Sequence, residues 1–369
     1  VIKQAGRKRL RPRVKPSNKL KRRLKKRGKL RASAPRIPRD AGRMARWGRE
    51  AGQRDAASNP LIGQGDSIKL INRLWAARMR TRTWSPMAWP RYHAAAKGYL
   101  QGICQKNGLP YLNRVLMPTD KSVAVIMTVM NEEDTIPILM MELNRLVIDE
   151  LIIVVNGSKD QSFTKARELS KATILYYPEP LGHDVGRSIG AKVAKSDILV
   201  FIDGDIPLQA EQLIPFVYAV EKGMDVALNN VNSFLPIFSK RDAVSHVKEF
   251  LNRSLRRPDL KTNSLTTVPH ALSRRAVDRI GYDHLAVPPK AHARAILEEL
   301  RVGAPFSVNV IAANRRRAHN ASTNNPVAEM IIGDHVEALS LSMSLKTKRL
   351  SFPDPYRMRS RLQGGRGNE

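Results

Sequence analysis

Asp203-Gly204-Asp205 stands directly after the apolar run Ile198 to Ile202. Two carboxylates flanking a glycine at the end of a buried strand can hold a hard divalent cation that also grips a diphosphate. Gly204 lets the backbone turn there without a side chain crowding the phosphates. The same three residues also make an ordinary solvated turn, so the reading depends on their surroundings. Two more polar clusters follow apolar runs in the same way, Asn131-Glu132-Glu133 and Asn156-Gly157-Ser158-Lys159-Asp160. A further segment, Leu181 to Arg187, places Gly182 and Gly186 at a helix start, where close backbone approach and oriented amides favour anions. The single cysteine, Cys104, excludes a disulfide framework and a cysteine-built zinc site.

Short apolar runs and amphipathic stretches alternate around these clusters. Val123 to Met127, Leu151 to Val155, Thr173 to Tyr177 and Ile198 to Ile202 read as strands. Asn131 to Leu146, Ser162 to Ser170 and Val185 to Ala194 read as helices between them. A strand and a helix in every 25 residues or so is the pattern of an open α/β sheet, mostly parallel and flanked by helices, with ligands at the carboxyl ends of its strands. Upstream, Ile68, Leu70, Ile71, Leu74 and Trp75 recur at helical spacing, and Tyr92 to Asn107 predicts a second helix.

Charge divides the 369 residues sharply. Residues 1–50 hold 21 Lys/Arg against 2 Asp/Glu, and residues 51–120 hold 10 against 3, so the remainder carries only +5 of the net +31. The expected organisation is a basic disordered tail over 1–65, a helical extension over 66–120, an α/β domain over 121–340 and a basic tail over 341–369. The basic tail suits an anionic surface or a nucleic acid, or serves no such purpose. No stretch reaches about 18 uncharged apolar residues, and no apolar segment follows the basic start. A cytoplasmic protein is expected, with peripheral membrane association left open by the basic tail.

The run Val125 to Ile136, the turn Asn156 to Asp160 and Phe201 to Asp205 occur in the order and spacing of one family. They resemble a family 2 glycosyltransferase of the GT-A fold, a Rossmann-like nucleotide-diphospho-sugar transferase. The resemblance covers residues 122–220 and continues more faintly to about 340. It implies Mn2+ or Mg2+ as cofactor, with Asp203 and Asp205 at the metal and Asp203 also on ribose. It further implies a nucleoside pocket at Thr128 and Glu132, with a UDP-sugar as the expected donor. Where the family carries an acidic residue to read the base, this chain has Asn156, whose carboxamide still offers a donor and an acceptor. Gly182, His183 and Arg187 fall in the segment that lies beside the diphosphate, and His183 or Arg187 could add charge there. Val308 to Asn320 looks like the last strand and a basic turn, and is similar to a segment of the glucosyl-3-phosphoglycerate synthases. That similarity implies His319 as a third metal ligand, with His335 as competitor.

The acceptor half departs from the family. Val287-Pro288-Pro289-Lys290-Ala291-His292 stands where inverting members carry a carboxylate base. On a helix from Ala291 to Leu300, His292 and Glu299 share a face and are the candidate catalytic groups. A retaining transfer needs no such base, because the departing phosphate can take the proton. With no Gln-x-x-Arg-Trp segment, transfer of one sugar to an acceptor of unknown identity is the economical reading. A nucleotidyltransferase is disfavoured because Thr128-Val129-Met130-Asn131 is neither glycine-rich nor basic. A non-catalytic RNA- or ribosome-associated protein would explain the tail but not the paired aspartates.

Overall fold

The computed structural model describes residues 40–62, 67–81, 89–311 and 325–357. The apolar runs pair as expected, because strands with no polar face must be covered on both sides. Strand β1 (Val123–Val129) lies between β2 (Glu150–Asn156) and β4 (Ile198–Asp203), with β3 (Thr173–Tyr177) outside β2, all parallel. The sheet continues through β6 (His270–Ser273), β5 (Val226–Asn229) and β7 (Val302–Phe306), giving the order β3-β2-β1-β4-β6-β5-β7. β6 is antiparallel to both β4 and β5, and β7 is parallel to β5. The carboxyl ends of β1, β4, β5 and β7 therefore share one edge.

Helices cover the faces: α4 (Ile136–Leu143), α5 (Ser162–Leu169), α6 (Val185–Val193), α7 (Ile214–Glu221), α8 (Ala243–Ser254), α9 (Arg274–Ile280), α10 (Pro288–Leu297) and α11 (Pro326–Leu345). Helix α6 sits unusually close to the sheet. A Cβ at Gly190 would lie 2.4 Å from Ile126 Cγ2, and one at Gly186 2.9 Å from Thr128 Cγ2. These two glycines bring the start of α6 down onto β1 and β2, which sets the geometry of the site.

Several boundaries differ from expectation. Within the stretch expected to be disordered, residues 41–58 form a helix, α1 (Ala41–Ser58), packed along α3 (Trp89–Lys106), with α2 (Ile68–Arg80) between them in sequence. The contact needs glycine rather than large apolar residues. A Cβ at Gly48 or Gly52 would lie 2.0 or 2.1 Å from the carbonyl oxygens of Ala95 and Tyr99, and Gly98 and Gly102 meet Ala45 and Arg49 as closely. The extension is tied to the sheet domain by the Val115 N–H, which donates to the Arg145 carbonyl (2.8 Å), and by Thr119 Oγ1, which donates to Glu221 (2.7 Å).

The helix after β1 is shorter than Asn131–Leu146, because Asn131 takes a left-handed turn (φ 57°) that re-aims the chain. The last strand is Val302–Phe306 rather than the segment from Val308. There the Asn229 carboxamide takes both the N–H and the carbonyl of Val308, which ends the ladder. Helix α11 crosses the expected boundary at 340, and Ser351 beyond it donates from its N–H to the Ser254 carbonyl (3.2 Å), so 341–357 packs back on α8. Among the described residues no helix is long and apolar enough to cross a membrane.

Candidate active site

The ends of β1 and β4 and the start of α6 enclose an open cleft of about 280 Å³. Thr128, Glu132, Asn156, Gly182, His183, Asp203 and Asp205 line it together with Met130, Pro180 and Asp184. Most of the residues singled out from sequence are thus brought to one place. Thr128 and Asp203 are register partners on adjacent strands, and Thr128 Oγ1 donates to Asp203 Oδ1 at 2.9 Å. The Gly204 N–H donates to the Thr128 carbonyl at 2.8 Å, and a Cβ on Gly204 would lie 3.0 Å from that same oxygen. The turn that separates the two aspartates is therefore closed to side chains, as its glycine implied.

Arg187 does not face the cleft as expected. It is only 4% exposed, and its Nη2 donates to both oxygens of Asp203 at 3.2 and 3.1 Å. Its Nη1 pairs with Asp184 at 3.0 Å and donates to the Leu265 carbonyl at 3.3 Å. Its charge is spent inside the protein, so it positions Asp203 instead of meeting a diphosphate. Asp184 was not anticipated. It holds a left-handed backbone (φ 62°) just before α6, and its buried carboxylate bridges Arg187 and His183, with His183 Nδ1 2.9 Å away. Burial by itself would raise the Asp184 pKa, but Arg187 and the His183 bond outweigh it and hold the group below the usual 3.8. The bond to Asp184 raises the His183 pKa above 6.5 despite partial burial. Lys248 of α8 lies within electrostatic reach of Asp242, Arg187 and Asp184, and desolvation lowers its pKa to about 8.

The side of the cleft expected to hold a nucleoside is a pair of interlocked turns. Asn131 N–H donates to Ser158 Oγ (3.1 Å), Glu132 N–H to Ser162 Oγ (2.8 Å) and Glu133 N–H to Asp160 (3.1 Å). Asn156 clasps the next turn, with Nδ2 donating to the Gly182 carbonyl (2.9 Å) and Oδ1 accepting from Leu181 N–H (2.7 Å). One donor and one acceptor of its amide are used in that clasp, so Asn156 shapes the pocket wall as well as lining it.

Asp203, Asp205 and Asp184 against one Arg187 leave two surplus negative charges while His183 is neutral. That surplus fits a divalent cation. Among the described residues no three His, Cys, Asp or Glu side chains are grouped as a metal site. Two carboxylates completed by substrate oxygens and water are the usual protein share of a Mg2+ or Mn2+ site beside phosphates. Three of the roughly four lone-pair positions of Asp203 are already taken by Thr128 and Arg187, which leaves Asp203 little capacity to ligate a cation directly. His319, the expected third ligand, lies outside the described residues. Its competitor His335 is fully buried in α11, with Nδ1 2.6 Å from the Ile331 carbonyl, and does not serve.

Both candidate catalytic groups are misplaced. His292 is fully buried in α10, where its Nε2–H donates to Asn252 Oδ1 at 2.7 Å. Desolvation lowers its pKa to about 3, so it stays neutral and buried rather than accepting a substrate proton. Glu299 is exposed just before β7, with φ 56°, at the amino edge of the parallel strands and hence opposite the cleft. The helical wheel placed them on one face, but α8 and α11 cover that face at His292 and the helix ends before Glu299.

Residues 124–281 match the glycosyl transferase family 2 model, in agreement with the resemblance read from the motifs. Similar solved structures include glucosyl-3-phosphoglycerate synthase from Mycobacterium tuberculosis in several complexes. The form with Mn2+, UDP and glucosyl-3-phosphoglycerate is 19% identical, covers 64% of this chain and 82% of its own, and has a TM-score of 0.43. The UDP form is 21% identical with the same coverage and a TM-score of 0.44. The form with Mg2+ and UDP is 17% identical, covers 64% and 81%, and scores 0.43. No curated protein matches the chain.

Proposed function

We propose that this glycosyltransferase, whose family 2 domain spans residues 124–281, moves a single sugar from a nucleoside diphosphate donor, with UDP the expected nucleotide, to a separate acceptor. The observation that carries the reading is the Asp203-Gly204-Asp205 turn, braced by Thr128 and Arg187 over a cleft at the strand ends. Asp205, with Asp203 beside it, would hold Mn2+ or Mg2+. A divalent cation there supplies neutralisation of the charge that develops on the departing diphosphate. Glu132 and Asn156 wall the nucleoside, and Gly182 admits the diphosphate backbone to the turn.

His183, with its pKa raised by Asp184, supplies positive charge to the diphosphate on the acidic side of its titration. Asp203 is held at both oxygens, so it needs no reorganisation when ribose or metal arrives. With neither His292 nor Glu299 in the cleft, this reading passes the proton of the attacking hydroxyl to the departing phosphate. That balance is the one a retaining transfer uses. The excess of basic residues over 1–50 supports a separate contact with an anionic surface or nucleic acid; residues 1–39 lie outside the described residues.

A thermal-shift series with UDP, GDP and ADP, each with and without Mn2+, tests the donor assignment. A ligand at 100 times its Kd stabilises by about 2.7 kcal/mol. UDP with Mn2+ should give the largest shift, and a flat response to all three would reject the assignment.

A further inference from the structure

A second cavity, of about 450 Å³, opens on the same edge of the sheet, at the carboxyl ends of β5 and β7. Its wall is built on three asparagines. Asn230 Oδ1 accepts from the Asn232 N–H (3.3 Å), from Asn232 Nδ2 (3.2 Å) and from Asn263 Nδ2 (3.3 Å). Asn263 Oδ1 accepts from the Val231 N–H (3.1 Å), and Asn232 Oδ1 accepts from Thr262 Oγ1 (2.7 Å). Each carboxamide is thereby locked in one orientation. The Asn230 Nδ2 donors, on the cavity wall, have no protein partner among the described residues. Locked amide donors with unspent capacity are the groups that recognise hydroxyls.

The rest of the lining agrees. Ser233 and Ser307 add hydroxyls, while Leu260 and Ala304 add apolar surface suited to the C–H face of a sugar ring. The charged members of the lining are one carboxylate, Asp259, and one ammonium, Lys261. Asp259 is paired with Arg257 at 2.9 and 2.7 Å, which leaves the exposed Lys261 ammonium as the one surplus charge. An amide-rich wall suits a polyhydroxyl ligand, and Lys261 is the group through which a phosphate would compete.

The cavity is also joined to the donor cleft. The loop that carries Asp259, Lys261 and Asn263 runs on to Leu265, whose carbonyl accepts from Arg187. Asn252 pins the same loop by donating from Nδ2 to the carbonyls of Lys261 (2.9 Å) and Asn263 (3.0 Å), and its oxygen is held by His292. The buried histidine thus steadies this loop. β5 stands two strand spacings from β4 and β7 three, so the cavity lies about 10–15 Å along the sheet from Asp203. That is too far for a reacting hydroxyl and suitable for a remote part of the acceptor, whose binding energy can position the reacting end.

We infer that this cavity is an acceptor subsite for a saccharide of at least two units. The inference rests on the glycosyltransferase reading for its role, but its ligand class stands on the cavity alone. Asn230→Asp tests it, because the carboxylate keeps the three accepting contacts and replaces the outward donors with a charged acceptor. The full chain is saturated with UDP and Mg2+, and maltose, cellobiose and α-1,6-mannobiose are followed by ligand-observed saturation-transfer NMR. At least one disaccharide should bind, its affinity should fall tenfold or more in Asn230→Asp, and UDP affinity should stay within twofold.

Absence of binding by all three disaccharides, or unchanged binding in Asn230→Asp, overturns the inference. So does displacement of the disaccharide by inorganic phosphate that disappears in Lys261→Gln. UDP has its own resonances, so the two readings fail separately. Loss of UDP binding with the saccharide retained rejects the donor site, and the converse rejects the subsite.

Discussion

Arg187→Met removes the one cation that Asp184 and Asp203 share inside the protein. Arg187 is 4% exposed, and the side chains of its partners are 10% and 28% exposed, so neither carboxylate can recover full hydration. Breaking a buried pair from one side costs about 3–5 kcal/mol. For a body of this size, at about 2–3 °C per kcal/mol, that is a fall in Tm of roughly 6–15 °C. The pH dependence identifies the cause. In the parent, burial works to raise the Asp184 pKa, but Arg187 and His183 lower it below 3.8, so its contribution is present above that value and is lost as pH falls through the lowered one. In the variant burial is no longer offset by Arg187, so the deficit is greatest near neutral pH and shrinks on acidification. Adding Asp184→Asn should restore part of the lost Tm at pH 7. Calorimetric melts of the parent, single and double variants from pH 4 to 8 decide it. A single variant melting within about 2 °C of the parent at every pH, as expected of a surface change, would refute the buried-network argument.

Gly52→Val would drive a side chain into the Tyr99 carbonyl, 2.1 Å from the ideal Cβ, and should cost about 1–3 kcal/mol or detach α1 outright, read as new proteolytic cleavage within 41–62. Glu299→Gln should leave the rate of UDP release from a UDP-sugar within about twofold of the parent, since the residue is on the far edge of the sheet; a loss of activity beyond that would return it to the site. The His183 ring should titrate above 6.5 by NMR, because Asp184 favours its charged form, so its contribution to stability is complete below 6.5 and lost as pH rises through the folded value. A midpoint at or below 6.5 would contradict the His183–Asp184 pairing.

The strands were legible because Val123 to Met127 and Ile198 to Ile202 are apolar on both faces, which only a covered parallel sheet accommodates. Gly186 and the Asp-Gly-Asp turn were legible because close approach leaves no alternative residue type. Helix α1 was not, since its contact face is made of glycines and alanines that carry no hydrophobic signal in a chain of arginines. Arg187 was misread because an arginine near a helix start looks the same in sequence whether it faces a ligand or is drawn inward by the carboxylate of a distant strand, here Asp203. His292 was misread for a related reason: helical spacing shows which residues share a face but not that other helices will bury that face. The Asn230, Asn232 and Asn263 cluster joins positions up to 33 residues apart, and no local pattern marks it.

The central claim is a metal-assisted diphosphate site at Asp205. Isothermal titration of UDP into the parent and into Asp205→Ala, each with and without Mn2+, tests it most directly. The account predicts that Mn2+ strengthens UDP binding in the parent, and that Asp205→Ala weakens the Mn2+-dependent binding by at least tenfold, about 1.4 kcal/mol, while the variant still melts cooperatively. Equal Mn2+-dependent affinity in the two proteins would contradict it.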